Sequence, residues 1–207
     1  MKQSEKTENT KARILASAER EFSDKGIFGA RIDEIAELAG VNKRMIYEHF
    51  GNKDELYRVV LQGVYARLAE YERRYYIEDM SPDAAIRNIV HVSFSFLEKN
   101  PTFVRLLMWE NLGGTKFLEN DEVSKIKTPT IEYIRSQIQR GKKTGIFAEH
   151  IDEEQMVISL LNFEFSYFSN MHTLSGILKT DLSDAVEISK RAAFVSDLFI
   201  KYLTNRA

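Results

Sequence analysis

Apolar residues return at intervals of three and four along almost the entire chain. Ile14–Ala18–Phe22, Ile32–Ile35–Ala36–Ala39 and Leu56–Val59–Val60–Val64 follow this spacing, as do Ile86–Val90–Phe94–Leu97, Ile131–Ile134–Ile138 and Val195–Leu198–Phe199–Tyr202. A period near 3.6 gathers such residues on one face of an α-helix. No sustained alternation of apolar and polar residues bounded by turn residues interrupts the pattern, so the expected fold class is all-α.

Proline placement supports this reading. Only three prolines occur, and each follows a capping residue, in Ser81-Pro82, Asn100-Pro101 and Thr128-Pro129. Proline suits the first helical position because its missing N–H would be unbonded there anyway. Ser, Asn and Thr side chains accept from free N–H groups just inside a helix. All three prolines are therefore expected to mark helix starts. Asn52 with Glu55, and Asp152 with Gln155, have capping-box spacing. Helices are predicted near 8–25, 32–39, 43–49, 53–78, 82–99, 101–110, 129–143, 152–175 and 183–204, with residues 111–127 a loop that holds at most a short helix.

Several chemistries lack their residues. With no cysteine there is no disulfide, thiolate metal site or thiol nucleophile. Four histidines, at 49, 91, 150 and 172, show no metal-ligand spacing. No phosphate-binding glycine loop, nucleophile elbow or dinucleotide fingerprint is present. No enzyme, catalytic residue, metal or cofactor is expected. Met1–Thr10 is polar, with no apolar export signal, and no stretch approaches the ~20 apolar residues of a membrane span. A cytoplasmic protein with no membrane partner is expected. The net charge of −2 does not point to nucleic acid, so any such contact must come from local charge.

Local charge is most informative in RIDEIAELAGVNKRMIYEHF, residues 31–50. A short helix puts Ile32, Ile35, Ala36 and Ala39 on one face, and the small alanines let a second helix cross closely. Gly40 supplies the turn, where positive φ is often needed. Val41 plugs the corner and Asn42 is placed to cap the next helix. Ile46 and Phe50 face inward, leaving Lys43, Arg44, Tyr47 and His49 on other faces. A helix-turn-helix presents the start of its second helix to the major groove in this way. Arg and Lys donate to guanine O6 and N7, Asn pairs with adenine, and helix-start amides suit phosphate. A helix–glycine–helix with surface cations is also common in helical proteins generally, and spacing alone leaves both readings open.

Residues 8–60 resemble the DNA-binding domain of the TetR family of regulators. The resemblance is carried by Phe22 and Gly26 at the end of the first helix, Ile35-Ala36, Ala39-Gly40-Val41, the Tyr-x-His-Phe at 47–50, and the Lys-x-x-Leu at 53–56. It implies a three-helix helix-turn-helix DNA-binding domain over 1–52 and a larger helical ligand-binding and dimerisation domain over 53–207. It further implies a recognition helix over 43–49. Lys43 and Arg44 would read bases with Asn42 at the helix start, while Tyr47, His49 and Lys53 would contact phosphate. Two departures stand out. Arg44 occupies a position where a small or hydroxyl residue is common. Ala30-Arg31 replaces the usual Thr/Ser pair, offering the Arg31 guanidinium to the DNA backbone instead of a hydroxyl cap.

For the body, the resemblance implies a homodimer on a palindromic double-stranded DNA operator and a small-molecule effector. Leu160–Phe168 is apolar on nearly all sides, as suits an interface or a monomer core. With the helix at 183–204 it would form half of a four-helix dimer interface. Candidate effector contacts are His91, Phe94, Phe103, Trp109, Asn162 and Phe163, each of which also fits an ordinary core or surface role; their bias points to a hydrophobic or aromatic effector. The expected function is a repressor released by ligand through a shift of conformational population, with the helix from residue 53 linking head and body. An activator of the same family, or a helical scaffold without DNA binding, are the alternatives.

Overall fold

The structure, a computed structural model, describes residues 3–77, 79–114, 117 and 121–205. Among them lie nine helices and no strand: α1 (Gln3–Gly29), α2 (Ile32–Ala39), α3 (Lys43–Phe50), α4 (Lys53–Tyr75), α5 (Pro82–Lys99), α6 (Pro101–Leu112), α7 (Asp121–Lys143), α8 (Glu153–Leu178) and α9 (Ala185–Thr204). The chain packs as two compact units. One holds Met1–Ala66 and Pro101–Val123, the other Arg67–Asn100 and Ser124–Ala207. α4 carries the chain from the first to the second. These are packing units; a functional boundary at residue 52 is a separate matter.

Local sequence explains most helix ends. Pro82 and Pro101 are the first residues of α5 and α6, as expected. The side chain of Asn52 accepts from Glu55 N at 2.8 Å, and that of Asp152 from Glu154 N and Gln155 N at 3.0 and 3.1 Å. Pro129 departs from the expectation. It lies inside α7, which begins at Asp121, so part of the predicted loop is helical. Tertiary bonding accounts for this: Lys127 and Thr130, on either side of the proline, both bind Glu72 of α4. That anchorage offsets the backbone bond the proline cannot make.

In the first unit Ile14, Ala18 and Phe22 of α1 are buried with Ile35 of α2, Ile46 of α3 and Leu56, Tyr57 and Leu61 of α4. The Phe22 and Tyr57 rings meet edge-on at 4.9 Å. α6 lies along α1, joined by a bond from Thr102 Oγ1 to Glu19 Oε1 (2.5 Å) and an ion pair of Arg105 with Asp24 (3.2 Å). Trp109 donates its indole N–H to Ser23 O at 3.2 Å. Its ring lies over Gly26, whose φ is +64°; a Cβ there would come within 2.8 Å of the indole. This glycine breaks the helical path of α1 and makes room for the ring.

In the second unit α5 packs on α9 and α8. Ile86, Ile89, Val90, Phe94 and Phe96 meet Leu160, Val195 and Phe199 in a common buried core. Arg87 ties α5 to Asp197 of α9 at 2.5 Å. The same unit buries a polar group. Lys127 Nζ lies 2.9 Å from both oxygens of Glu72, and Thr130 Oγ1 donates to Glu72 Oε2 at 2.5 Å. No helix among the described residues is long and apolar enough to cross a membrane.

Candidate nucleic-acid interface

The turn between α2 and α3 has the geometry its sequence predicts. Gly40 adopts φ 62°, ψ 41°, and its N–H donates to Glu37 O at 3.0 Å while Val41 N donates to Ala36 O at 3.0 Å. These bonds close the carbonyl end of α2 in a left-handed cap. Ala36 and Ala39 are buried, and Val41 is half-buried at the corner. Asn42 then starts α3 by accepting from Met45 N at 2.9 Å. Ile46 is buried and Phe50 half-buried, so α3 is held by one face.

A residue that sequence reasoning missed locks this turn from α1. Arg13 Nε donates to Ala39 O at 3.0 Å, and Arg13 Nη2 to Gly40 O at 3.0 Å and to Ala39 O. A guanidinium on the last carbonyls of a helix satisfies acceptors the helix leaves open and opposes the negative end of its dipole. Arg13 lies 26 positions from Ala39 and carries no local signal of this role.

The outer face of α3 is polar and open. The Arg44 side chain is 86% exposed and Tyr47 42% exposed; Lys43 is also exposed. His49 is half-buried with its ring edge-on to Phe50 at 6.2 Å. Lys53 is half-exposed at the start of α4. Arg31 is exposed in extended conformation just ahead of α2 and makes no side-chain cap bond, in keeping with the missing hydroxyl. Lys43, Arg44 and Tyr47 thus share the open side of one short helix.

Two of these cations have carboxylate partners within the chain. Lys43 Nζ lies 2.9 Å from Asp33 Oδ1 of α2, and this hydrogen-bonded partner raises the lysine above its ordinary range. Arg44 Nε donates to Glu48 Oε1 at 2.6 Å, one turn along α3. Occupying Nε leaves the two terminal nitrogens, the ones that match guanine O6 and N7, directed by the carboxylate instead of free to wander. The i, i+4 spacing of Arg44 and Glu48 was readable in the sequence. The Asp33 contact, ten residues away across the turn, was not.

The candidate effector residues are dispersed. Phe103 and Trp109 belong to the first unit, where Phe103 is buried edge-on to Tyr65 at 5.4 Å. His91, Phe94, Asn162 and Phe163 belong to the second. Phe94 is buried against the rings of Tyr167 and Phe168. Phe163 is half-buried, its ring edge-on to Phe199 at 5.5 Å. His91 and Asn162 have exposed side chains.

The chain matches two family models: bacterial regulatory proteins of the tetR family over residues 14–60, and the tetracyclin repressor-like C-terminal domain over residues 82–199. It is 30% identical over 200 residues to the HTH-type transcriptional repressor NicS of Pseudomonas putida, covering 96% of this chain and 94% of that protein. It is 39% identical over 157 residues to the HTH-type transcriptional repressor SCO4008 of Streptomyces coelicolor, covering 74% and 76%. The HTH-type transcriptional regulator RutR of Escherichia coli is 30% identical over 148 residues, covering 68% of each chain. Among solved structures, fatty acid degradation regulator FadR from Bacillus halodurans superposes with a TM-score of 0.69 at 17% identity, over 89% of this chain and 93% of that one. At that identity the likeness is one of fold.

Proposed function

The chain belongs to the TetR family of bacterial regulatory proteins, and on that premise we propose that it is a cytoplasmic transcriptional repressor. As a homodimer it holds a palindromic operator, and it lets go when a small molecule binds its C-terminal body. It works by binding, without catalysis. The observation that carries this reading is the open face of α3: Lys43, Arg44 and Tyr47 point away from a helix fixed by Ile46, Asn42 and the Arg13-clamped turn. Residues 1–52 are assigned the DNA-binding role, and 53–207 effector binding and dimerisation.

Lys43 and Arg44 read base edges, while Tyr47, His49, Lys53 and Arg31 fix the register on phosphates. Asn42 holds the helix start, its side chain already engaged by Met45 N. The effector is taken to be hydrophobic or aromatic, in keeping with the aromatic residues of the body, although Phe94 itself is packed on Tyr167 and Phe168. Because α4 belongs to both units, a ligand-driven change in its second half is carried along the helix to its first. Effector and operator then weaken each other by one common factor.

Selection of bound sequences from a random DNA pool tests the core of this reading, and should return a palindrome. On that site Arg44→Ala should abolish specific binding without altering the dimer. Lys53→Ala should weaken binding to all sequences alike and lower the salt slope by about one unit. A normal footprint from Arg44→Ala, or an unchanged slope from Lys53→Ala, would remove those residues from the interface. Transcription in vitro from a promoter carrying the selected site distinguishes repression from activation.

A further inference from the structure

The interior of the second unit contains a carboxyl group with no counter-charge of its own among the described residues. Glu164, on the inward side of α8, is 4% exposed, and its Oε1 has no hydrogen-bond partner among the described residues. Glu72 of α4 and Lys127 of α7 face it, as do the hydroxyl of Ser93 on α5 and the Tyr76 phenol just beyond α4. Lys127, the cation of this group, is already engaged by both oxygens of Glu72, which also accepts from Thr130. The pair neutralises itself, and Glu164 remains over.

Other buried polar atoms without a partner among the described residues include, in the same unit, Gln137 Oε1 and the Tyr76 hydroxyl. Gln137 is 5% exposed and follows Thr130 by two turns on the inward side of α7. Tyr76 lies parallel to Tyr133, with centroids 4.4 Å apart and planes 8° apart. Leaving a buried polar group unbonded forfeits the hydrogen bonds it had with water. Glu164 and Tyr76 face each other beside the stacked ring pair, and Gln137 adds a third such atom from α7; buried polar groups of this kind amid apolar residues are what a ligand site supplies.

The chemistry of these atoms selects the ligand. Both unpartnered carbonyl-type oxygens are acceptors, so the ligand must donate. A carboxyl without a counter-ion favours a ligand that brings positive charge, and an aromatic face favours the same. We propose that Glu164 anchors a small aromatic molecule carrying a protonated nitrogen, its N–H groups donated to Glu164 Oε1 and Gln137 Oε1. This rests on the effector reading given above and specifies the effector's class.

Proton balance gives the idea a signature. Burial holds the Glu164 carboxyl well above the ordinary glutamate range, and Glu72 adds to the rise, while the Ser93 hydroxyl and the Lys127 ammonium pull it down. Burial therefore favours the uncharged carboxyl as long as no cation is bound. A cationic ligand converts carboxyl to carboxylate and releases that one proton to solvent. Its affinity should rise about tenfold per pH unit until the pH passes the carboxyl's own value.

The test uses the full-length protein and three probes that share one ring: phenethylamine, 2-phenylethanol and phenylacetate. Ligand-observed NMR should show phenethylamine binding at least tenfold more tightly than the alcohol, with phenylacetate excluded. Its affinity should climb with pH as stated, and Glu164→Gln should erase both the preference and the climb. A preference for the alcohol or the acid, equal or absent binding of all three, or a pH-independent phenethylamine affinity would overturn the proposal. The pH series on the unaltered protein decides even if the variant does not fold. Adding the probes to the operator complex separates the two layers of inference. If phenethylamine binds through Glu164 but leaves the complex intact, the site stands and the effector reading fails. If 2-phenylethanol dissociates the complex, the effector reading stands and the cation assignment fails.

Discussion

Glu164 titrates as the clearest single-residue probe of the folded state. The folded protein keeps its proton above the ordinary value of 4.5, at which the unfolded chain gives it up. The stability it confers is complete below that value and declines as the pH rises toward the folded one, because the folded state binds the extra proton. Glu164→Gln, which cannot ionise, should therefore gain on the parent as the pH rises from 5 to 8 in urea unfolding. A constant difference across that range would place the carboxyl in a more solvated site. Nothing in the sequence marks this residue, since glutamate within LLNFEFSYF breaks an apolar run without showing which way it points. Glu72 is equally silent, lying in a stretch of α4 crowded with exposed charges. Hydrophobic periodicity finds apolar faces; it passes over the polar residues buried among them. Phe94 and Phe103 belong to those apolar faces and are buried in contact with neighbouring rings.

Helix boundaries were legible where the chain carries its own stop and start chemistry. Pro82, Pro101, Asn52 and Asp152 act as their local sequence predicts, as does Gly40 in its left-handed turn. Pro129 does not, because the bonds to Glu72 that hold its helix come from residues 55 and 58 positions away. The start of α8 offers a test. Asp152→Ala removes an acceptor serving two backbone N–H groups and should cost about 0.5–2 kcal/mol in denaturant unfolding. A loss below that range would show that water caps the helix as well as the carboxylate does. Between residues 32 and 50 the whole element was legible: α2, turn and α3 fall within a residue of the predicted limits. What the sequence withheld there was the Arg13 clamp and the Lys43–Asp33 pair, both made between separate helices.

For the whole molecule, Leu160–Phe168 keeps one side buried within its own unit. Leu160, Glu164, Tyr167 and Phe168 turn inward within their unit. Exposed apolar side chains lie farther along, at Ile177 and Leu178 of α8 and at Phe194, Leu198 and Tyr202 of α9. The last three are spaced by four and form a stripe along one side of the helix. A stripe of this kind on a regulator proposed to dimerise is the natural seam. Phe194→Glu should yield a monomer in analytical ultracentrifugation with helical circular dichroism retained. Operator affinity should fall about 10²–10⁴-fold, the gain that linking two half-site readers confers. A dimer that persists would move the interface elsewhere.

The carboxylates beside Lys43 and Arg44 have a consequence at the scale of the genome. A bare cation on a recognition helix adheres to any phosphate, and a cell offers roughly 10⁶–10⁹ random sites for every operator. Asp33 and Glu48 travel with these cations as built-in counterions. On random DNA their charge repels the backbone and offsets much of what the cations would gain. In the proposed reading, Glu48 would help the Arg44 guanidinium face a guanine edge on the operator. If Lys43 and Arg44 contact DNA as proposed, the pairing would lower the protein's residence on random DNA more than on its operator.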